Sequence, residues 1–327
     1  MKAFVIANPR DRRIEQIQKL EVAEPLIAPD DVLVTLKACG LNPVDYKLVE
    51  SGVSDWTYPH VLGVDGAGLV SQVGNEVTAF QVGDRVFCHD NLHQNGAFAE
   101  KIVIKAAAVA HMPDGLSFED AAAMLCGAMT AYQALYRKAN LAMVNTVLIH
   151  AGAGGVGMVA IQLAKHLNLR VITTVSTQKK AFAEALGADV VIDYRTEDVT
   201  ARLLSETAGL GVDLSINTIG GTEVQADIGR MAFNGQIVVI GDTLPEQLDL
   251  SSKALSIAKI ALGGAHTSNN PAQVQDLARM AEALGDLVQS GQLKPMIERV
   301  LAFDEIPAGL AALKVGQVSG KLVARID

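Results

Sequence analysis

The sequence predicts an α/β protein in two parts: an N-terminal β-barrel and a doubly wound, parallel-sheet domain. Three observations carry this. Short strands punctuated by glycine and proline fill about the first 120 residues, strands alternate with amphipathic helices from Thr146 onward, and one apolar strand runs straight into a glycine-rich turn at Gly152. At 327 residues the chain exceeds the roughly 250 to 300 residues at which single cores stop growing, so a domain boundary is expected.

The barrel reading rests on runs such as Val32 to Ala38, Gly66 to Val73 and Arg85 to His89, broken at Pro43, Gly52, Pro59, Gly63, Gly74, Gly83 and Gly96. Near Ser117 the pattern changes. Ser117 precedes an alanine-rich stretch and is placed to cap a helix whose first turn carries Glu119 and Asp120. Five parallel strands are then expected at Val147 to His150, Arg170 to Val175, Val190 to Asp193, Asp213 to Asn217 and Gln236 to Ile240. Ile257 to Leu262 offers a sixth, although its length alone also allows helix. A long helix is expected around Val274 to Gln289. The closing run Gly320 to Ala324 reads as a strand with no partner nearby in sequence, which returns it to the first domain. The expected division is residues 1–122 and 266–327 for the barrel domain and 123–265 for the parallel-sheet domain.

Composition narrows the function. Half the residues are hydrophobic and 19% are charged, a globular balance, and the net charge of -9 disfavours nucleic acid and anionic membrane surfaces as partners. No apolar stretch reaches the roughly 20 residues of a bilayer-spanning helix, and the N-terminal apolar run is too short for a signal peptide. A soluble, cytoplasmic protein is expected. Cys39, Cys88 and Cys126 stand far apart without CxxC pairing, which argues against disulfides or a zinc knuckle and for small buried residues.

The strongest motif is Gly152-Ala153-Gly154-Gly155-Val156-Gly157, set between the strand Val147 to His150 and the helical pattern Met158 to Leu167. Glycines at these spacings permit a tight turn, close approach of a pyrophosphate and close helix packing, while the helix N-terminus favours the phosphate charge. An NAD site expects an acid at the end of the second strand. Here that strand ends in Ser176-Thr177-Gln178-Lys179-Lys180, hydroxyls and ammonium groups that suit a 2'-phosphate, so NADPH is the expected cofactor. Asn217 and Gly241 follow the fourth and fifth strands at their carboxyl ends, where ligands of open α/β sheets sit.

Taken together, Gly40-Leu41-Asn42-Pro43-Val44-Asp45-Tyr46, Leu62 to Gly68, Gly83-Asp84-Arg85-Val86, Thr130-Ala131-Tyr132, the turn, Leu186 to Asp189 and Gly320 to Val323 resemble the medium-chain dehydrogenase/reductase superfamily. The resemblance covers essentially the whole chain and is to the zinc-less quinone oxidoreductase and zeta-crystallin branch. It implies a GroES-like barrel beside a Rossmann domain, and a homodimer paired through the last strand of the nucleotide sheet. It also implies cofactor contacts at Thr130, near the nicotinamide, and at Tyr194, by the adenosine phosphate. His266 follows the sixth apolar run, where a place facing the nicotinamide and a fixed core or surface position remain open.

Zinc enzymes of that superfamily place Cys, His and Cys on a catalytic metal; here the matching positions are Asn42, Val64 and Cys126. One thiol does not replace three ligands, so no metal is expected. His89 and His93 stand at i and i+4 but in a loop-like context, and are read as polar loop residues. Without a Lewis acid, a conjugated acceptor that spreads charge is favoured over a plain alcohol. Asn42 and Tyr46 match positions lining the nicotinamide cleft and are expected to polarise the acceptor oxygen of a quinone or small α,β-unsaturated carbonyl compound. Competing readings are a protein that binds NADPH without turnover and, less favoured, an alcohol dehydrogenase. Trp56 and Tyr58 either wall the substrate pocket or pack on the barrel.

Overall fold

The computed structural model describes residues 1–241 and 244–326, which divide into two compact units, Met1–Met129 with Leu262–Asp327, and Thr130–Ala261.

The second unit is built on one parallel sheet of six strands: β1 (Thr146–Ile149), β2 (Arg170–Val175), β3 (Val190–Asp193), β4 (Val212–Asn217), β5 (Met231–Ile240) and β6 (Ser256–Ile260). Their spatial order is β3-β2-β1-β4-β5-β6, and all neighbouring pairs run parallel. Val147, Leu148 and Ile149 of β1 are all fully buried, as a strand covered on both faces requires. The order reverses at β1, so the turn after β1 lies at the switch point where such sheets bind ligands. The helix Gly155–His166 follows at once, with Lys165 and His166 in its last turn where positive charge suits the helix dipole. The sixth strand is shorter than expected. It ends at Ile260, and Leu262–Ala265 forms a 3-10 turn belonging to the other unit.

The first unit carries two sheets. A three-stranded one orders Gln18–Glu21, Lys2–Ile6 and His60–Val61. The larger one centres on the long strand Asp31–Leu41, which pairs antiparallel with Asp65–Val73 on one side and with Lys101–Lys105 and Lys321–Arg325 on the other. The C-terminal strand thus finds its partner some 280 residues earlier, which no local pattern announces. Leu36, Phe87, Phe98 and Ile102 are fully buried within this unit, each stabilising it by about 1.5 to 3 kcal/mol.

The Ser117 cap forms as the sequence reading expects, and the helix expected around Val274 begins three residues earlier. Ser117 Oγ accepts the Asp120 N–H at 3.0 Å and starts the helix Phe118–Ala123. Asn270 and Pro271 open the helix Pro271–Gln289, which buries Leu277, Ala278, Met280, Ala281 and Leu284 along one face. Among the described residues no helix is long and apolar enough to cross a membrane.

Candidate active site

In the second unit, the residues singled out from the sequence gather at the carboxyl ends of the strands. Gly152 to Gly157 follow β1, Ser176 to Lys180 follow β2, Tyr194 follows β3, Asn217 ends β4 and Gly241 follows β5. Ala151 opens the turn at φ 52°, a left-handed conformation uncommon outside glycine and of the kind that collects at binding sites. At Gly157 a Cβ would stand 2.3 Å from the Ala151 carbonyl oxygen, so the helix can approach the strand this closely only without a side chain. Tyr194 is exposed, and its N–H donates to the Val175 carbonyl at 3.2 Å, which brings it beside Ser176. Thr130 is buried in the helix Cys126–Gln133.

A carboxylate does enter the β2 end, although not from β2. The parallel register sets Val175 opposite Asp193, whose Oδ2 accepts the Thr177 hydroxyl at 2.6 Å while Oδ1 accepts the Arg195 N–H at 3.0 Å. The Thr177 hydroxyl holds this carboxyl below the usual carboxylate range. Both oxygens are engaged, so Asp193 braces the loop. Lys180 lies 3.9 Å from Glu197 and half exposed, a loose contact that leaves its ammonium able to turn.

Asn217 serves a buried network that the sequence reading missed. Its amide donates to Asp227 at 2.8 Å, and its oxygen accepts the N–H groups of Ile219 and Gly220. Asp227 also meets His150 Nε2 at 3.0 Å, Ser215 Oγ at 2.6 Å and Arg230 Nη1 at 3.0 Å, while His150 Nδ1 stands 3.2 Å from Thr174 Oγ1. Burial by itself would raise the Asp227 carboxyl, but His150 and the hydroxyl and amide donors outweigh it and keep it low. The residue preceding the glycine turn is thereby tied to the ends of β2 and β4. The signal was His150 itself, an imidazole directly after the apolar run Val147 to Ile149.

In the first unit the chemistry centres on Asp65, at the start of its strand and opposite Gly40. A Cβ at Gly40 would come within 2.4 Å of the Ala122 carbonyl and 3.0 Å of Asp65 Oδ2, so only glycine admits this approach. Asp65 Oδ1 accepts the Cys126 backbone N–H at 2.9 Å. Its Oδ2 accepts from Asn42 Nδ2 at 2.7 Å and from Lys321 Nζ at 3.0 Å. Lys321 reaches Asn42 because the last strand pairs Leu322 with Leu41, and its ammonium also donates to Asn42 Oδ1. Asn42, Asp65 and Lys321 are only 4%, 0% and 3% exposed, and such a buried pair persists only when its remaining polar atoms are satisfied.

Asn42 and Tyr46, paired in the sequence reading, therefore part company. The Asn42 amide is turned inward, its N–H groups given to Asp65 and, at 3.4 Å, to the Gly40 carbonyl. Flipping the amide would set its NH2 against the Lys321 ammonium, so the orientation is determined by chemistry. Tyr46, on the helix Pro43–Ser51, is half-buried against the barrel core, and its hydroxyl has no hydrogen-bond partner among the described residues. Burial, helped by Glu50, raises its pKa, so the phenol keeps its proton.

His89 is corrected from loop residue to the buried end of the strand Arg85–His89, because its ring stacks on His266 at 5.8 Å and its carbonyl accepts from His266 Nε2 at 3.0 Å. Burial, then His89, pulls the His266 imidazole down to about 4. His93 is a surface residue 2.8 Å from Asp55. Trp56 packs on the barrel: it is buried, stacks on His60 at 3.9 Å and donates to the Leu92 carbonyl. Cys39 and Cys88 are buried as expected, and Cys126 is half-buried.

Metal-like donor atoms of Asp65, His89 and Cys126 lie within 4.8 Å of one another. They do not fit a catalytic zinc. Asp65 Oδ2 is held by Lys321 and Asn42 and its Oδ1 by the Cys126 N–H, so an internal ammonium already balances its charge. Among the described residues no hydrogen-bond partner meets the buried Nδ1 of a neutral His89, which leaves it a ready donor atom.

A glycine turn at the switch point of a parallel six-stranded sheet, in a chain that also carries a separate β unit, marks the class of dinucleotide-binding α/β proteins. Comparison with known proteins gives the family. Residues 28–114 match the alcohol dehydrogenase GroES-like domain, and residues 155–284 match the family described as zinc-binding dehydrogenase. The chain is 32% identical to a quinone oxidoreductase of Pseudomonas aeruginosa over 309 residues, 92% of each protein. It is 28% identical to the synaptic vesicle membrane protein VAT-1 homolog of Rattus norvegicus, spanning 94% of this chain and 80% of that one. Two similar polyketide synthases are far longer, and the chain spans 17% and 9% of them. Among solved structures, a Pseudomonas syringae quinone oxidoreductase superposes with a TM-score of 0.88 at 30% identity over the full length of both chains. The Escherichia coli quinone oxidoreductase complexed with NADPH gives 0.87 at 26% identity, covering 99% of each. The protein belongs to the medium-chain dehydrogenase/reductase superfamily, in its quinone oxidoreductase branch, and is an oxidoreductase of that type.

Proposed function

We propose that the protein is an NADPH-dependent reductase that passes hydride to a quinone or a small α,β-unsaturated carbonyl compound without zinc. The observation that carries this reading is the Asp65 cluster, whose acidic donor is bound to an internal ammonium rather than left open for a metal. Electrophilic assistance then comes from a hydrogen bond. Tyr46 is a half-buried phenol whose hydroxyl has no hydrogen-bond partner among the described residues, and Asn42, its amide turned inward, holds the helix start on which Tyr46 stands. Conjugated acceptors suit such a site, because they spread the charge that a lone phenol stabilises only in part.

Bound NADPH supplies the hydride. Gly152, Ala153, Gly154, Gly155, Val156 and Gly157 would hold its pyrophosphate, Ser176, Lys179 and Lys180 the 2'-phosphate, and Tyr194 the adenosine side. Gly154 supports this assignment: its φ of -87° and ψ of 171° are open to any residue, so a ligand's approach rather than backbone strain explains the missing side chain. The relative solved with NADPH supports the same cofactor. We also infer a homodimer, since the outer edge of β6 is unpaired among the described residues; sizing by light scattering tests it.

The deciding experiment follows NADPH and NADH oxidation with a panel of quinones and enones. Turnover with NADPH supports the proposal. Tight NADPH binding with no turnover of any acceptor would return the non-catalytic reading.

A further inference from the structure

The glycine turn opens on a residue that resists its own conformation. Ala151 stands at φ 52°, in the left-handed region, and such strain persists only where the surroundings hold it. The turn holds one side, since the Ala151 carbonyl accepts the Gly154 N–H at 2.9 Å. The other side is held from β2, where Thr174 Oγ1 accepts the Ala151 N–H at 3.4 Å and the Thr174 carbonyl accepts the Gly152 N–H at 3.1 Å. That hydroxyl ends a buried chain. The Asp227 carboxylate only accepts, so His150 Nε2, at 3.0 Å, carries a proton and donates it. Because the Thr174 oxygen accepts from Ala151, its own proton turns to His150 Nδ1 at 3.2 Å. Ser215, Asn217 and Arg230 fix Asp227 in turn. Carboxylate, imidazole and hydroxyl in this order also form the relay that activates a nucleophile. Here the hydroxyl is only 4% exposed and meets a backbone amide, so the chain positions and does not attack.

We propose that Asp227, His150 and Thr174 are positioning residues for the cofactor: through the Ala151 N–H they keep Ala151 left-handed before anything binds, and so preset the glycine turn for a pyrophosphate, a role that rests on the turn being the cofactor site. The size of the effect follows from the strain. An L residue is disfavoured in the left-handed region by roughly 5- to 30-fold. Once the hold is lost the competent turn becomes the minor form, and a ligand that requires it binds more weakly by about that factor.

Titration calorimetry of the cofactor-free protein with NADPH reads the effect. Thr174→Val, which removes the hydroxyl and keeps the shape, should weaken binding by about 5- to 30-fold, while Thr174→Ser, which keeps the hydroxyl, should bind as the parent. Thr174→Ala takes the place of Thr174→Val if the latter does not fold. His150→Phe should also weaken binding, and combined with Thr174→Val it should cost no more than Thr174→Val alone, because both cut one chain. The discriminating background is Ala151→Gly, since glycine adopts φ 52° freely. There Thr174→Val should change Kd by less than about twofold. A role in stability alone would lower Tm in both backgrounds and show no such coupling in Kd. A parent that binds neither NADPH nor NADH sinks the cofactor reading and this role with it. A parent that binds, together with parent-like affinity in folded Thr174→Val or a full loss that persists in Ala151→Gly, overturns the positioning role alone.

Discussion

Two glycines of the turn are missing their side chains for different reasons, and this yields a test of where the pyrophosphate sits. At Gly157 a methyl group would stand 2.3 Å from the Ala151 carbonyl oxygen and 2.7 Å from the Gly152 Cα, both backbone atoms that cannot step aside. Overpacking of this kind typically costs about 1 to 3 kcal/mol. Gly157→Ala should therefore lower Tm by roughly 3 to 10 °C and weaken the cofactor as a consequence of the distorted turn. Gly154→Ala meets only the Ala151 carbonyl, at 3.3 Å, in a conformation that alanine accepts. Its stability cost should stay within about 1 kcal/mol, the ordinary difference between residues at a helix N-cap. A pyrophosphate resting on this turn would nevertheless lose a charge-assisted contact worth about 1.5 to 3 kcal/mol, or roughly 10- to 150-fold in Kd. Titration calorimetry with NADPH and a thermal melt on each variant separate the two effects. Parent-like affinity in a folded Gly154→Ala would place the pyrophosphate elsewhere and refute the reasoning.

Tyr46→Phe should lower turnover on a good acceptor by roughly tenfold or more, equivalent to about 1.4 kcal/mol, with cofactor affinity little changed; parent-like rates would remove Tyr46 from the chemistry. Changing Lys179 and Lys180 together to Ala should weaken NADPH while leaving NADH nearly untouched, and equal losses for both cofactors would show that the lysines do not read the 2'-phosphate. Asp45 supplies a pH test: burial pushes its carboxyl from 3.8 up to about 8, so the folded state holds a proton that the unfolded chain releases. Its contribution to stability is greatest below the unfolded value and falls as pH rises through the window from about 4 to about 8. Asp45→Asn should remove that slope, so urea unfolding at about pH 5 and about pH 8 should show the parent losing more stability than the variant. Parallel losses would mean that Asp45 is ionised in the folded state.

The features legible in the sequence are those set within a few residues of chain. The turn at Gly152 to Gly157, the cap at Ser117 and the strand and helix rhythm of the second unit are each specified by local sterics and hydrogen bonding. They were readable because period and turn chemistry do not depend on distant partners. The candidate site was legible only in part, for the opposite reason. Asn42 and Tyr46 stand close in sequence and read as a pair, yet the amide of one is consumed by Asp65 and Lys321 while the hydroxyl of the other stays free. Nothing local tells them apart, since Lys321 arrives through an antiparallel pairing with a strand at the other end of the chain. Asp193 likewise reaches Thr177 through the register of two parallel strands, and Asp227 reaches His150 from a helix 77 residues away. The sequence by itself determined the fold class and the glycine-rich turn after the first strand of the parallel sheet. Tertiary structure alone decided which polar groups are buried against each other, because desolvation and charge pairing are properties of neighbours in space.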